Sequence, residues 1–322
     1  FYTDYTTDSI GTSAFGVESN ATLTGKGPLR DVTRDFSKYS LFRRSIMELV
    51  FFLFPKLVDI ILAPAEAYFK KIYRHIEAQR KADKERNTQD LLDLLLKIKT
   101  ESEINGEGYS DDLILAQAAI FLFGGYETTG TLLTFATYTL AYHPEIQEKI
   151  YKELIEAKEK NGGDEFEAQT LAELPYLNAV LKETLRKFTT MGWLDRIASS
   201  DYQVDDSLNI KAGTVVYINT FGMHYNPQYF PDPHKFNPER FMPENADNIY
   251  PYSYMPFGEG PRFCVGKRFG YMTARYGISS IVLNYKIHPV PGAPKPDDIK
   301  IDNRGVLYLP GEDAPAKFTP RK

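Results

Sequence analysis

The segment Pro256-Phe257-Gly258-Glu259-Gly260-Pro261-Arg262-Phe263-Cys264-Val265-Gly266 is the most informative in the 322-residue chain. It sets a single sulfur in a glycine-rich turn, and apolar spacing through Phe269, Met272 and Tyr276 predicts a helix directly after it. Backbone N–H groups at such a turn and the positive end of the following helix both lower a thiol's pKa, so the sulfur suits an anionic metal ligand. Glycines at 258, 260 and 266 let the backbone pass close to a flat, bulky object, and Arg262 adds a fixed positive charge just before the sulfur. An isolated cysteine is ordinarily a small buried hydrophobe. The glycines, the arginine and the helix start argue against that here.

Working outward, Cys264 is the only cysteine, which excludes an intramolecular disulfide and any multi-cysteine zinc or iron–sulfur site. With 43% apolar residues the chain can bury a sizeable core. Its 38 Lys and Arg against 43 Asp and Glu give a formal charge of -5, which does not suit a nucleic-acid backbone as partner. The five histidines, at 75, 143, 224, 234 and 288, show no paired ligand spacing and are expected on the surface or at helix ends.

Apolar periodicity predicts helix at Leu91 to Ile98, from about Asp111 to Ala141, from Glu145 to Lys160, and from about Leu171 to Phe188. Short β-type runs follow at Tyr202 to Val204 and Thr214 to Ile218, forming a small sheet. Residues 224 to 263, dense in Pro, Asn, Tyr and Phe, are expected to form a long ordered meander. No linker stands out, so one domain over 1–322 is expected. The opening residues have neither a basic leader nor an uninterrupted apolar run, so no signal peptide or anchor is expected within them. Ile46 to Ala63 is interrupted by Glu48, Pro55, Lys56 and Asp59 and is too broken to span a bilayer. It suits either a buried helix pair or a loop that dips into a membrane interface through Phe51 to Phe54.

Phe257, Gly260, Arg262, Cys264 and Gly266 follow Phe-x-x-Gly-x-Arg-x-Cys-x-Gly, which resembles the haem-binding signature of the cytochrome P450 family. Five fixed positions leave on the order of one chance match in ten thousand chains of this length. Three further motifs stand in family order: Gly124-Gly125-Tyr126-Glu127-Thr128-Thr129 in the long helix, Glu183-x-x-Arg186 on a later one, and Phe236-Asn237-Pro238-Glu239-Arg240-Phe241 in the meander.

The resemblance implies a mainly α fold with minor β, the C-terminal portion of the cytochrome P450 fold: long central helix, small sheet, meander and cysteine haem loop. It implies haem b, iron protoporphyrin IX, with Cys264 as metal ligand. Such a thiolate pushes electron density towards bound oxygen and favours O–O cleavage. Phe257 is then expected on the proximal side, Gly258, Gly260 and Gly266 in the loop, and Arg262 and Arg196 at the propionates. Two glycines inside a helix cost about 1 kcal/mol each relative to alanine. Close approach of Gly124 and Gly125 to the flat cofactor would offset that. The Thr128 hydroxyl can turn to the carbonyl of Gly124, four residues back, and Glu127 with Thr128 is the implied proton-delivery pair.

Glu183 and Arg186 share one helical face, where an isolated pair is worth only ~0 to 1 kcal/mol. The resemblance instead places them in a buried structural triad with Arg240 that braces the cysteine loop, a role suited to bidentate arginine. Thr189-Thr190 depart from the prolines that the family usually carries after the arginine, in a substrate-facing loop.

Phe1 to Val17 resembles a helix well inside such proteins, so the N-terminal anchor, the early helices and the reductase-docking helix are expected to be missing. Phe51 to Phe54 and Tyr126-Glu127-Thr128 are most similar to microsomal arthropod members of detoxification type, which implies the cytosolic face of the endoplasmic reticulum membrane, touched through residues 46–63. The implied activity is a haem-thiolate monooxygenase drawing electrons from NADPH through NADPH–cytochrome P450 reductase. Its substrate would be an apolar xenobiotic or lipid, lined by Ile120, Phe123, Gly124 and Met191. Two alternatives stay open: a truncated, catalytically inactive fragment with impaired haem binding, and a haem-thiolate isomerase or dehydratase that needs no reductase.

Overall fold

The computed structural model describes residues 1–37, 70, 71, 73, 74, 76–78, 80, 90–163, 165–302 and 307–321. The membrane-interface expectation for 46–63 and His75 lie outside them. The fold is mainly helical with short strands, and the chain divides into two compact units, Phe1–Thr131 and Leu132–Lys322.

The first unit contains α1 (Tyr2–Phe15), α2 (Ala21–Thr24), α3 (Pro28–Ser37), α4 (Leu91–Ile104) and the earlier part of α5 (Asp111–Tyr142). α1 stops because Gly16 turns left-handed (φ 57°), letting Val17 N–H reach the Gly11 carbonyl at 3.0 Å. α4 opens on a reciprocal capping box between Asp90 and Asp93, and Arg80 joins both carboxylates, bonding Asp93 at 2.6 Å and Asp90 at 2.5 Å. α1 lies closely against α5. The Thr6 hydroxyl donates to the Tyr126 carbonyl at 2.8 Å, and a Cβ on Gly130 would stand 3.2 Å from the Thr6 oxygen.

The second unit takes up α5 from Leu132 and continues with α6 (Pro144–Lys160), α7 (Ala168–Glu173) and α8 (Pro175–Lys187). α6 and α8 both begin on proline, whose fixed φ and missing N–H suit the first helical position. The single helix expected from Leu171 to Phe188 is in fact two. Leu174, extended at φ -75°, ψ 107°, separates them because the residue before a proline is disfavoured from helical geometry.

The expected small sheet is three two-stranded antiparallel ladders among the described residues. β1 (Trp193–Ile197) pairs with β4 (Val215–Asn219), β2 (Tyr202–Gln203) with β3 (Asn209–Ile210), and β5 (Tyr285–Pro289) with β6 (Ala316–Pro320). α9 (Thr220–His224) precedes the meander, which carries 3₁₀ turns at Pro238–Phe241 and Pro243–Asn248. α10 (Lys267–Asn284) follows the cysteine loop and packs on α6, α7 and α8. The apolar centre includes Phe135 stacked on Phe188 at 4.3 Å, with Tyr138 and Ile299 beside them.

Candidate functional site

The cysteine loop, in the second unit, is a series of tight backbone closures. Gly258 N–H donates to Met255 O at 3.1 Å, Phe263 N–H to Gly260 O at 3.1 Å, and Cys264 N–H to Phe257 O at 2.8 Å. Gly258 (φ 70°) and Gly260 (φ 78°) supply the left-handed turns this path needs. Gly266 does not: its φ is -82°, and a Cβ there would make only ordinary contact, 3.8 Å from the Cys264 sulfur. The Phe257 ring packs on Tyr271 at 5.1 Å, with Lys267 Nζ 5.9 Å from its centroid.

Cys264 is free and exposed rather than buried. Its chain neighbours Phe263 and Val265 are 54% and 78% exposed, so apolar side chains flank the sulfur on the surface. Arg262 is exposed and makes no hydrogen bond or ion pair among the described residues. Arg196, on β1, forms neither of the carboxylate bridges its neighbours Asp195 and Asp201 could offer. Its guanidinium donates to the carbonyls of Asp195 at 2.7 Å and Glu259 at 3.2 Å, the second of these within the cysteine loop, while Asp201 pairs with Lys211.

In the first unit, the Thr128 hydroxyl donates to the Gly124 carbonyl at 2.8 Å, as the spacing anticipates. The two glycines differ. A Cβ on Gly124 would meet no atom within 4 Å, whereas one on Gly125 would stand 2.7 Å from Ile10 Cγ1 of α1. The expectation that both clear space for a cofactor is corrected at Gly125, because its missing side chain is accounted for by helix packing. Ile120, one turn before Gly124, is 62% exposed, Met191 of the second unit is exposed as well, and Phe123 is half-buried near Tyr126 at 6.1 Å.

The acid and its two arginines form a buried cluster in the second unit. Arg186 donates through Nε and Nη2 to the two Glu183 oxygens at 2.8 and 2.9 Å, and both side chains are fully buried. Arg240 Nε stands 3.6 Å from Glu183 Oε1, held by charge rather than by a hydrogen bond. The cluster also grips the meander: Arg186 donates to the carbonyls of His224 and Pro233, each at 2.7 Å, and Asn237 N–H donates to Glu183 at 2.8 Å.

His224 was expected on the surface or at a helix end. It does close α9, but it is fully buried, and Met255 N–H donates to its Nε2 at 3.1 Å. Burial, with Arg186 beside it, pushes its pKa down to about 4. Nothing in the spacing of the histidines signals this role, since its partners are backbone groups far along the chain. Lys182 is another residue that spacing does not reveal. Burial first, then Arg275 and Lys267, lower its pKa, marking a cluster of cations beside α10.

Among the described residues no three His, Cys, Asp or Glu side chains gather as a metal site. Iron in a porphyrin brings its other ligands with it and asks only a single donor of the chain. The solvent-facing sulfur, its exposed apolar neighbours and an unpartnered arginine fit such a group: one axial donor, an apolar seat and a cation for a carboxylate.

A long helix with Gly-Gly-x-Glu-Thr-Thr at its centre, a buried Glu–Arg–Arg cluster and a lone surface cysteine ahead of a helix together mark a haem-thiolate protein. The chain belongs to the cytochrome P450 family, whose model matches residues 1–313. It is similar to cytochrome P450 3A2 of Rattus norvegicus, 33% identical over 325 residues, 98% of this chain and 63% of that protein. Two proteins of Drosophila melanogaster are similarly related. They are probable cytochrome P450 6g2, 33% identical over 321 residues (94% of this chain, 61% of that protein), and cytochrome P450 9c1, 32% identical over 336 residues (97% and 63%). The chain thus spans about three-fifths of the length of these relatives. No described helix is long and apolar enough to cross a membrane.

Proposed function

We propose that this chain forms the haem-bearing part of a monooxygenase that inserts one oxygen atom of O2 into an apolar small molecule, a xenobiotic or lipid. Electrons would come from NADPH through NADPH–cytochrome P450 reductase. The observation that carries the proposal is the Cys264 thiol, the sole cysteine, held exposed by the Cys264 N–H to Phe257 O bond just ahead of α10. Haem, when bound through this sulfur, supplies the oxygen-activating chemistry.

The rest falls to the chain. Cys264 would hold the iron of that group through its sulfur. Arg262, without a partner among the described residues, and Arg196, already braced on Glu259, would supply N–H donors for propionates. Phe257, packed on Tyr271, would help to limit water around the sulfur once the cofactor is seated. On α5, Gly124 leaves its helix face bare. The Thr128 Oγ1 proton is committed to Gly124 O, so the oxygen's lone pairs are free to accept, and relaying a proton outward requires that bond to turn away. Glu127 is the nearest carboxylate in sequence to supply that proton. Ile120 and Phe123 on the first unit, and Met191 on the second, are the apolar side chains proposed for the substrate. Tyr126-Glu127-Thr128 and Phe51 to Phe54 support a microsomal arthropod detoxification type, and residues 46–63 would touch the cytosolic face of the endoplasmic reticulum membrane.

The test is the spectrum of reduced, carbon-monoxide-treated protein after haem reconstitution. A thiolate-type Soret band in the chain, lost in Cys264→Ala with helical content retained, supports the proposal. No such band, either in this chain or in one extended to the full length of its relatives, would defeat it.

A further inference from the structure

We propose that His224 is a positioning residue for the cysteine loop, its neutral imidazole tying the buried Glu183–Arg186 pair to the backbone at Met255, from which the loop departs. One end of the tie is the His224 carbonyl, which accepts from Arg186 Nη1 at 2.7 Å. The other is Nε2, which accepts from Met255 N–H at 3.1 Å. Beyond Met255 the closures continue, from Gly258 N–H to Met255 O and from Cys264 N–H to Phe257 O. The ring is stacked on Tyr254 at 5.5 Å and set edge-on to Phe230 at 6.3 Å, and the Tyr254 hydroxyl donates back to Lys182 O on α8 at 3.0 Å. A short series of bonds therefore runs from the buried charges to the backbone of Cys264.

The chemistry requires an imidazole in one tautomer. With Nε2 accepting, the proton sits on Nδ1, and that atom is buried without a partner among the described residues. A leucine would fill the same space without an orphaned N–H. What it would lack is the acceptor for Met255. Tyr254 and Phe230 from the meander pack on the ring with Arg186 of α8 nearby, and the guanidinium disfavours a second positive charge there. The functional meaning of the tie rests on Cys264 being the cofactor's ligand. The geometry of the tie does not.

Because Cys264 is the only thiol, its rate of reaction with an aromatic disulfide reports on this loop alone, in the full chain without haem. His224→Gln keeps an acceptor, and His224→Leu removes it. We expect the leucine variant to react on the order of tenfold faster and the glutamine variant within about twofold of the parent, with circular dichroism unchanged. Equal rates in all three overturn the proposal. If the leucine variant does not fold, amide exchange in the unaltered chain takes its place: slow exchange of Met255 N–H supports the tie, and exchange as fast as in an open loop overturns it. Both measurements stand whether or not the chain takes up haem.

Discussion

Glu183 and Arg186, three residues apart on α8, meet through two hydrogen bonds with neither side chain reaching solvent. Removing one member leaves the other charged and buried, which is costlier than never having had the pair. Arg186→Leu should lower unfolding free energy by about 3–5 kcal/mol, and Arg186→Lys should also destabilise, since an ammonium cannot fork to both oxygens. Arg240→Ala should cost less than either, because that guanidinium reaches Glu183 only through charge at 3.6 Å, and its hydrogen bond goes to the Asp232 carbonyl at 2.9 Å. Urea denaturation checks the order. A loss under about 1 kcal/mol for Arg186→Leu would mean the pair is not buried as described.

His224 gives a pH dependence of definite sign. Its ordinary value of 6.5 falls to about 4 in the fold, so between those values the unfolded chain binds the extra proton and stability rises with pH. The contribution is whole above about pH 6.5 and lost as pH falls towards 4, a change on the order of 3 kcal/mol. His224→Gln removes that titration, so the parent's stability relative to the variant should shrink on acidification. Melting temperatures of both from pH 7 to 4 read it directly. A constant difference would show that the buried ring does not titrate this way.

How much was legible in the sequence varies with the range of the interactions involved. The Thr128 bond to Gly124 and the Glu183–Arg186 contact follow from helical spacing alone, so they could be read from a linear string. β1 is absent from the sequence reading because apolar Trp193 and Ile197 face outward with Asp195 while Arg196 turns inward, which hides the alternation of a half-buried strand. β5 and β6 come from distant segments with no turn between them to announce the pairing. His224 escaped for the same reason: its partners, Arg186 and Met255, lie far off in sequence and meet it only after the meander closes. Gly125 shows the converse error, since glycine reports that something comes close without saying what. Here it is Ile10.

The two helix glycines should respond oppositely to alanine. Gly125→Ala would drive a Cβ to 2.7 Å from Ile10 Cγ1, and overpacking of that kind costs about 1–3 kcal/mol, enough to outweigh the gain in helix propensity. Gly124→Ala meets nothing and should stabilise the haem-free chain by about 0.5–1 kcal/mol. If the bare face at Gly124 serves the cofactor, the same change should weaken haem uptake. Thermal melts of the haem-free variants followed by haem titration separate the two effects. Stabilisation by alanine at both positions would refute the packing of α1 on α5.

Arg262 allows stability and binding to be separated at one residue. It is exposed and has no partner among the described residues, so Arg262→Gln should change unfolding free energy by no more than about 0.5 kcal/mol. Under the proposed function this guanidinium, two residues before Cys264 and without a partner among the described residues, serves a carboxylate of the cofactor. Haem affinity should therefore fall by on the order of tenfold in Arg262→Gln, the scale of one charge-assisted hydrogen bond. Arg196→Gln should differ, loosening the loop at Glu259 and lowering both quantities. Equilibrium haem titration beside urea denaturation measures each. If Arg262→Gln destabilised the haem-free chain while leaving haem affinity untouched, the arginine would be a structural strut and not a donor to the cofactor.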